Sequence, residues 1–169
     1  RRRLIEDMKQ IEYSYQDLLK MALMLGRLVG RHTRPGEHVG VLLPNLAPTL
    51  GLIFGLNAHA RVPAMLNYTA GVEGMQAACT AAQIATIVSS RAFVTQAKLA
   101  DKIAALQGVR ILYLEDLRSE AGIGDKLWLM LWAIRFPRWA MQRVGPESAA
   151  VVLFTSGSEG VPKGVVLSH

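Results

Sequence analysis

Apolar positions along the chain fall into two alternating rhythms, stripes at helical spacing and short continuous runs, separated by proline and glycine breaks. Residues 2–13 alternate imperfectly, with Leu4, Ile5, Met8, Ile11 and Tyr13 among charged neighbours, and Lys9-Gln10 suits the turn of an edge hairpin. Ser14 followed by Asp17 forms a capping pair, in which a hydroxyl meets an orphan N–H and an acid sits in the first helical turn, so a helix is predicted from there to about His32. Leu18, Met21, Leu25, Leu28 and Val29 share one stripe, and Lys20, Arg27 and Arg31 mark the other side. Arg34-Pro35-Gly36-Glu37 breaks this helix, because proline cannot continue the hydrogen-bonded ladder and glycine turns the chain.

The run His38 to Leu43 then reads as a strand covered on both faces, ended by Pro44-Asn45. A helix from about Ala47 to His59 tolerates Pro48 in its first turn, and residues 61–66 give the next strand. The same alternation continues with a helix at about 72–83, the β-branched run Thr86-Ile87-Val88, a helix at 95–106 with Leu99, Ile103 and Leu106 inward, and a strand at 109–114. Short links between alternating strands and helices predict an α/β fold, a layered sheet flanked by helices. Residues 115–124 read as a polar link, and Ser148 to Phe154 as a further strand.

Composition narrows the possibilities. With 51% apolar and 19% charged residues among 169, the chain is an ordinary globular one with room for a single core. It opens on Arg1-Arg2-Arg3 and ends inside an apparent strand, which reads as a piece of a larger domain. The one cysteine, Cys79, lies among alanines and is expected as a buried small hydrophobe, since a lone thiol makes neither an internal disulfide nor a metal cluster. His32, His38 and His59 lack companions at metal-ligating spacing, and no metal ligands are assigned. No apolar run approaches the roughly 20 residues that cross a bilayer.

The net charge of +6 is scattered except at residues 1–3 and in residues 126–143, where Lys126, Arg135, Arg138 and Arg143 occur without an acid. Nucleic acid is disfavoured, because no recognition element accompanies the charge. All three tryptophans, Trp128, Trp132 and Trp139, fall in this basic segment, taken here as a surface segment or insert spanning residues 125–143. Trp128, Trp132, Arg135, Arg138 and Trp139 are membrane-contact candidates, because aromatic and cationic side chains together suit a lipid headgroup boundary. Packing against the rest of the domain is the competing reading, and the nearly continuous apolar run to Ile134 favours burial of at least that half.

The chemistry concentrates in residues 151–169. An apolar run enters a loop, Thr155-Ser156-Gly157-Ser158-Glu159-Gly160-Val161-Pro162-Lys163-Gly164, and resumes as Val165-Val166-Leu167. The loop differs from the pattern in which glycine and lysine lead into a helix, since here proline precedes the lysine and a strand follows. Hydroxyls, backbone N–H groups freed by glycine and one ammonium around a turn suit a bound phosphate. As composition alone, a Gly- and Ser-rich turn is also commonplace.

In its order of residues, the stretch Phe154 to Val165 resembles the signature loop of the acyl-adenylate-forming (AMP-binding) superfamily of acyl-CoA synthetases, luciferases and peptide-synthetase adenylation domains. Tyr13-Ser14-Tyr15, Arg34-Pro35-Gly36, Val41 to Asn45 and the segment 63–67 resemble its N-terminal region. The resemblance implies that residues 1–169 are a partial N-terminal subdomain of the large adenylating domain, ending after the phosphate-binding loop. It further implies ATP and Mg2+ as cofactors, with Thr155, Ser156, Gly157, Ser158, Gly160 and Lys163 holding the phosphates and Lys163 acting catalytically on the departing pyrophosphate. Glu159 departs from the usual hydroxyl residue, and substrate contact by His169 is only an option. The adenine pocket, the ribose-binding acid and the C-terminal catalytic lysine would lie after His169, so residues 1–169 alone should adenylate negligibly.

Within the superfamily, Leu66-Asn67-Tyr68-Thr69 and the tryptophan segment look most like the synthetase part of the bacterial bifunctional acyl-acyl-carrier-protein synthetases and 2-acylglycerophosphoethanolamine acyltransferases. That likeness implies a fatty acid and ATP as substrates, acyl carrier protein or coenzyme A as thiol acceptor, and a lysophospholipid as final acceptor. It also implies a place at the cytoplasmic face of the bacterial inner membrane. A noncatalytic membrane- or protein-interaction module built on the tryptophan segment is the alternative.

Overall fold

The computed structural model describes residues 3–6, 11–156 and 162–169, with side chains for 11–155 and 163–169. Strands β1 (Arg3–Glu6) and β2 (Glu12–Ser14) pair antiparallel as a small sheet of their own, separate from the main one. Ser14 then caps α1 (Tyr15–Gly30) as expected: its Oγ accepts from the Asp17 N–H at 3.3 Å while its own N–H donates to the Asp17 carboxylate at 3.0 Å.

The chain continues through β3 (His38–Val41), α2 (Ala47–Ala58), β4 (Val62–Met65), α3 (Val72–Ala81) and β5 (Thr86–Ser89). There follow α4 (Arg91–Gln96), α5 (Ala100–Ala104), β6 (Arg110–Tyr113), α6 (Leu114–Glu120) and α7 (Ile123–Trp128). A π-helical turn (Leu129–Ala133), α8 (Pro137–Ala140), β7 (Ala149–Ser156) and β8 (Pro162–Ser168) complete the described elements. The main sheet has the order β6-β5-β3-β4-β7-β8, its first five strands parallel and β8 antiparallel to β7.

Both faces of this sheet are covered, which explains why its strands are apolar throughout rather than alternating. Val39, Val41 and Val88 join Leu28, Val29, Leu52, Leu56 and Leu117 under α1, α2 and α6. Their strand neighbours Leu42 and Ile87 point the other way, into a cluster with Ala64, Met75, Cys79, Phe93, Leu99 and Ile103 under α3, α4 and α5. Cys79 behaves as the small hydrophobe expected of it, and burial pushes its thiol up.

The buried side of α1 matches the stripe read from the sequence in part: Leu28 and Val29 are buried as expected, and Met21 lies against Gly51 of α2. The buried residues of α1 are Ala22, Leu23, Gly26, Leu28 and Val29, whereas Met21 and Leu25 are only half-buried. The reason is a close crossing of two helices: a Cβ on Gly55 would stand 2.8 Å from the Gly26 nitrogen, and one on Gly26 would stand 2.9 Å from Gly55 Cα. Beyond the crossing, Arg61 is buried and donates to the carbonyls of Gly30, Thr33 and His59 and to Thr33 Oγ1, satisfying backbone left open at the ends of both helices.

Three other expectations are corrected. The helix expected over 95–106 is two short helices, because the chain turns at Lys98, whose φ is +52°. The expected polar link carries α6, held by the buried Leu117. Residues 127–134 are not buried as a block: Leu127, Met130, Leu131 and Trp132 are exposed, and Ala133 alone among them is fully covered.

Gly55→Ala should destabilise the protein by about 1–3 kcal/mol in urea unfolding, since overpacking at the crossing outweighs the gain of about 1 kcal/mol in helix propensity. A rise in stability would contradict the close crossing. His59 is also informative: burial first, then the charges of Arg61 and Arg27, lower its pKa from 6.5 to about 4. The unfolded chain therefore binds more protons between these values, and stability falls as pH drops from 6.5 towards 4. His59→Asn should flatten that slope in chemical unfolding between pH 6.5 and 5 relative to the native chain.

Candidate active site

The position of the loop at residues 155–163 follows from the pairing of β7. Val152 and Leu153 lie beside Ala64 and Met65 of β4 in parallel register, so β7 runs in the same direction as the other parallel strands and Ser156 emerges at their carboxyl edge. There the chain reverses: Thr155 pairs with Lys163 and Ser156 with Pro162, in an antiparallel ladder that continues through Phe154 and Gly164 to Val151 and Leu167. Val152 anchors this hairpin in the core, with Phe154 partly buried against the same cluster.

Thr155 and Lys163 are thereby brought side by side on exposed backbone. The Thr155 hydroxyl donates to the Lys163 carbonyl at 3.5 Å, and among the described residues the Lys163 ammonium has no hydrogen-bond or ion-pair partner. Ser156 ends β7. Gly157, Ser158 and Gly160, with Glu159, lie outside the described residues. His169 is not brought to this place. Because β8 runs back along β7, its end lies beside Ala149 at the opposite edge of the sheet, where His169 borders a recess of about 260 Å3 with His38, Asn57, Arg61 and Ser148.

The carboxyl edge collects further polar segments that sequence reading did not assign to a site. Beside the hairpin, β4 leads into Asn67-Tyr68-Thr69, where Asn67 Oδ1 accepts from the Thr69 N–H at 2.9 Å and from its hydroxyl at 2.7 Å. Lys102 donates to the carbonyls of Tyr68 and Ala70 at 3.4 and 3.1 Å, and the Tyr68 ring meets Phe93 edge-on with centroids 5.3 Å apart. This turn is thus fixed next to the strand that carries Thr155.

Further along the same edge, Arg91 makes a two-pronged pair with Asp116 at 2.6 and 2.8 Å and lies 4.4 Å over the Tyr113 ring. The hydrogen bond from Arg91 holds the Asp116 carboxyl below its ordinary range. Glu115 accepts from the Arg91 N–H at 3.1 Å and the Ser90 hydroxyl at 2.8 Å, capping α4. These groups satisfy one another and close that end of the edge. Their spacing in the sequence gave no signal, because the partners lie 24 and 25 residues apart.

The tryptophan segment stands apart from this edge and is tied to α1. Asp125 is solvent-shielded, accepting from Arg27 Nε at 2.9 Å and from Arg31 Nη2, while Arg27 lies 4.4 Å over the Trp128 ring. The hydrogen bond from Arg27 leads the lowering of the Asp125 pKa. Trp128 and Trp132 have ring centroids 6.0 Å apart, and Arg135, Arg138 and Trp139 point into solvent. Among the described residues no group of three or more His, Cys, Asp or Glu side chains is placed to hold a metal ion.

The fold and a short stretch of the sequence have known counterparts. Over 26 residues the chain is 77% identical to FR901469 synthetase of Dothideomycetidae sp. (strain 11243), a match spanning 15% of this chain and 0% of the relative to the nearest per cent. The solved structure of VinN with 3-methylaspartate superposes with a TM-score of 0.75 at 21% identity, covering 99% of this chain and 43% of VinN. The amide bond synthetase McbA from Marinactinospora thermotolerans gives 0.75 at 24% identity, covering 98% of this chain and 32% of that protein. The chain therefore spans less than half the length of these relatives. The adenylating-enzyme fold seen in these structures agrees with a sequence match to the family described as AMP-binding enzyme that runs over all of residues 1–169, and on that match this chain belongs to the AMP-binding enzyme family.

Proposed function

We infer that this chain supplies the phosphate-gripping part of an ATP-dependent ligase that activates a fatty acid as its acyl-adenylate and passes the acyl group to a thiol. The observation that carries this reading is the hairpin at the carboxyl edge, where Thr155 pairs with Lys163 on either side of a Gly- and Ser-rich stretch of sequence. Ligands of open α/β sheets bind outside the carboxyl ends of the strands. A relative of the same fold is solved as an ATP-bound chimera of RpMatB and BxBclM, and another, McyG A-PCP, with phenylalanyl-adenylate.

In the first step a carboxylate oxygen attacks the α-phosphorus of ATP, forming the mixed anhydride and releasing pyrophosphate. Thr155, Ser156 and Ser158 donate hydrogen bonds to phosphate oxygens, Gly157 and Gly160 let the backbone approach them, and the Lys163 ammonium neutralises charge that grows on the leaving pyrophosphate. Mg2+ would be taken up with the nucleotide and would neutralise charge on its phosphate oxygens. In the second step a thiol of acyl carrier protein or coenzyme A attacks the acyl carbonyl and AMP leaves. Delivery of that acyl group to a lysophospholipid would belong to a further domain of the same enzyme.

The test is acid-dependent ATP–pyrophosphate exchange by the complete protein that carries this chain. Long-chain fatty acids should drive exchange, amino acids should not, and Lys163→Ala should lower it about 100-fold. Unchanged exchange in Lys163→Ala would remove that residue from the site. Absence of exchange with every carboxylic acid would favour the noncatalytic reading, in which the hairpin is purely structural.

A further inference from the structure

The segment 123–139 presents two apolar faces, and only one of them is used. Inward, Asp125 is held by Arg27 and Arg31, Trp128 lies beneath Arg27, and Ala133 is fully buried. Outward, Ile123, Leu127, Met130 and Leu131 recur at helical spacing and are 77%, 51%, 68% and 65% exposed. Beyond the turn at 129–133, closed by the Ile134 N–H on the Leu129 carbonyl at 3.1 Å, Phe136 and Trp139 are exposed as well, at 50% and 77%. A row of large apolar side chains aimed at solvent marks a surface that meets something else.

The charges around the row indicate what that is. Lys126, Arg135, Arg138 and Arg143 are all exposed, and no acid occurs between residues 126 and 143. Asp125, the nearest acid, is shielded and already neutralised by two arginines, so its charge does not oppose an anion outside. No helix of the described residues is long and apolar enough to span a membrane. A short apolar face with tryptophan and arginine at its border suits insertion to the headgroup level instead.

We propose that residues 123–143 form a monotopic docking surface for an anionic lipid bilayer, with Met130, Leu131 and Trp139 entering the headgroup boundary and Lys126, Arg135 and Arg138 meeting lipid phosphates. A protein partner would take the same apolar row, but an acid-free cationic border around solvent-facing tryptophan favours lipid. This inference stands apart from the assignment of the ATP loop: it uses none of the hairpin residues, and its test does not read catalysis.

The experiment is co-sedimentation of the complete protein with phosphatidylcholine vesicles, with and without roughly one-third phosphatidylglycerol. Binding should require the anionic lipid and weaken at high salt. Arg135→Gln with Arg138→Gln should lower the partition coefficient about 30-fold, each lost charge weakening attraction near the surface. Met130→Glu with Leu131→Glu should abolish binding while leaving the thermal unfolding midpoint within a few degrees, since both side chains already face water. Absence of binding to anionic vesicles would overturn the proposal, as would binding that both double variants retain. An oligomer that Met130→Glu with Leu131→Glu converts to monomer, without any vesicle binding by the native protein, would assign the face to a protein contact and also overturn it.

Discussion

The parallel pairing of β7 with β4 is the constraint on which the site depends. Two residue pairs, Ala64 with Val152 and Met65 with Leu153, bring a strand from the end of the chain against the sheet built by residues 38–113. Parallel direction fixes which end of β7 carries the loop, and burial of Val152 fixes its register, because a slip by one residue would place Val151 or Leu153 in the core instead. Thr155, Ser156 and Lys163 then lie at the carboxyl edge as a consequence of packing, beside the Asn67 to Thr69 turn. Nothing in the local sequence of the loop could specify that placement alone.

The sheet in turn relies on close helix packing over one face. Gly26 and Gly55 let α1 and α2 approach until backbone meets backbone, and Arg61 closes the carbonyls left at their ends. This arrangement favours small residues where periodicity calls for large ones. It is the physical reason why the sequence showed α1 as a helix with Leu28 and Val29 inward but did not show Ala22 and Gly26 as part of its buried face. A pattern of leucines and methionines locates an amphipathic helix, but an intimate crossing is recorded by Ala22, Gly26 and Gly55, which carry little hydrophobic signal.

Other differences have similar causes. The strand order through β6, and the helices α1 to α3 between the strands, were legible because apolar runs and apolar stripes alternate clearly there. Lys98 turns the chain at positive φ without a glycine to announce it, so α4 and α5 merged into one expected helix. Helix α6 has one fully buried residue, Leu117, and four charged residues among its seven, so it read as a link. In 127–134 the continuous run concealed two faces, because hydrophobicity alone does not distinguish a side chain that packs inward from one that faces water. The role of Asp125 was invisible, since its partner Arg27 lies 98 positions away. At the candidate site, the order of residues from Phe154 to Val165 carried the resemblance to the family, and the structure added the hairpin register and the neighbouring turn.

The central claim is that the carboxyl-edge hairpin is where this chain meets ATP. Hydrogen–deuterium exchange on the complete protein, with and without ATP and Mg2+, tests it most directly, because ordering of a loop by phosphate slows exchange of the amides that grip it. The account predicts nucleotide-dependent protection of the amides at residues 155–164, with a smaller effect at 67–71. Protection confined to other parts of the chain, with unchanged exchange at 155–164 under saturating ATP, would contradict it.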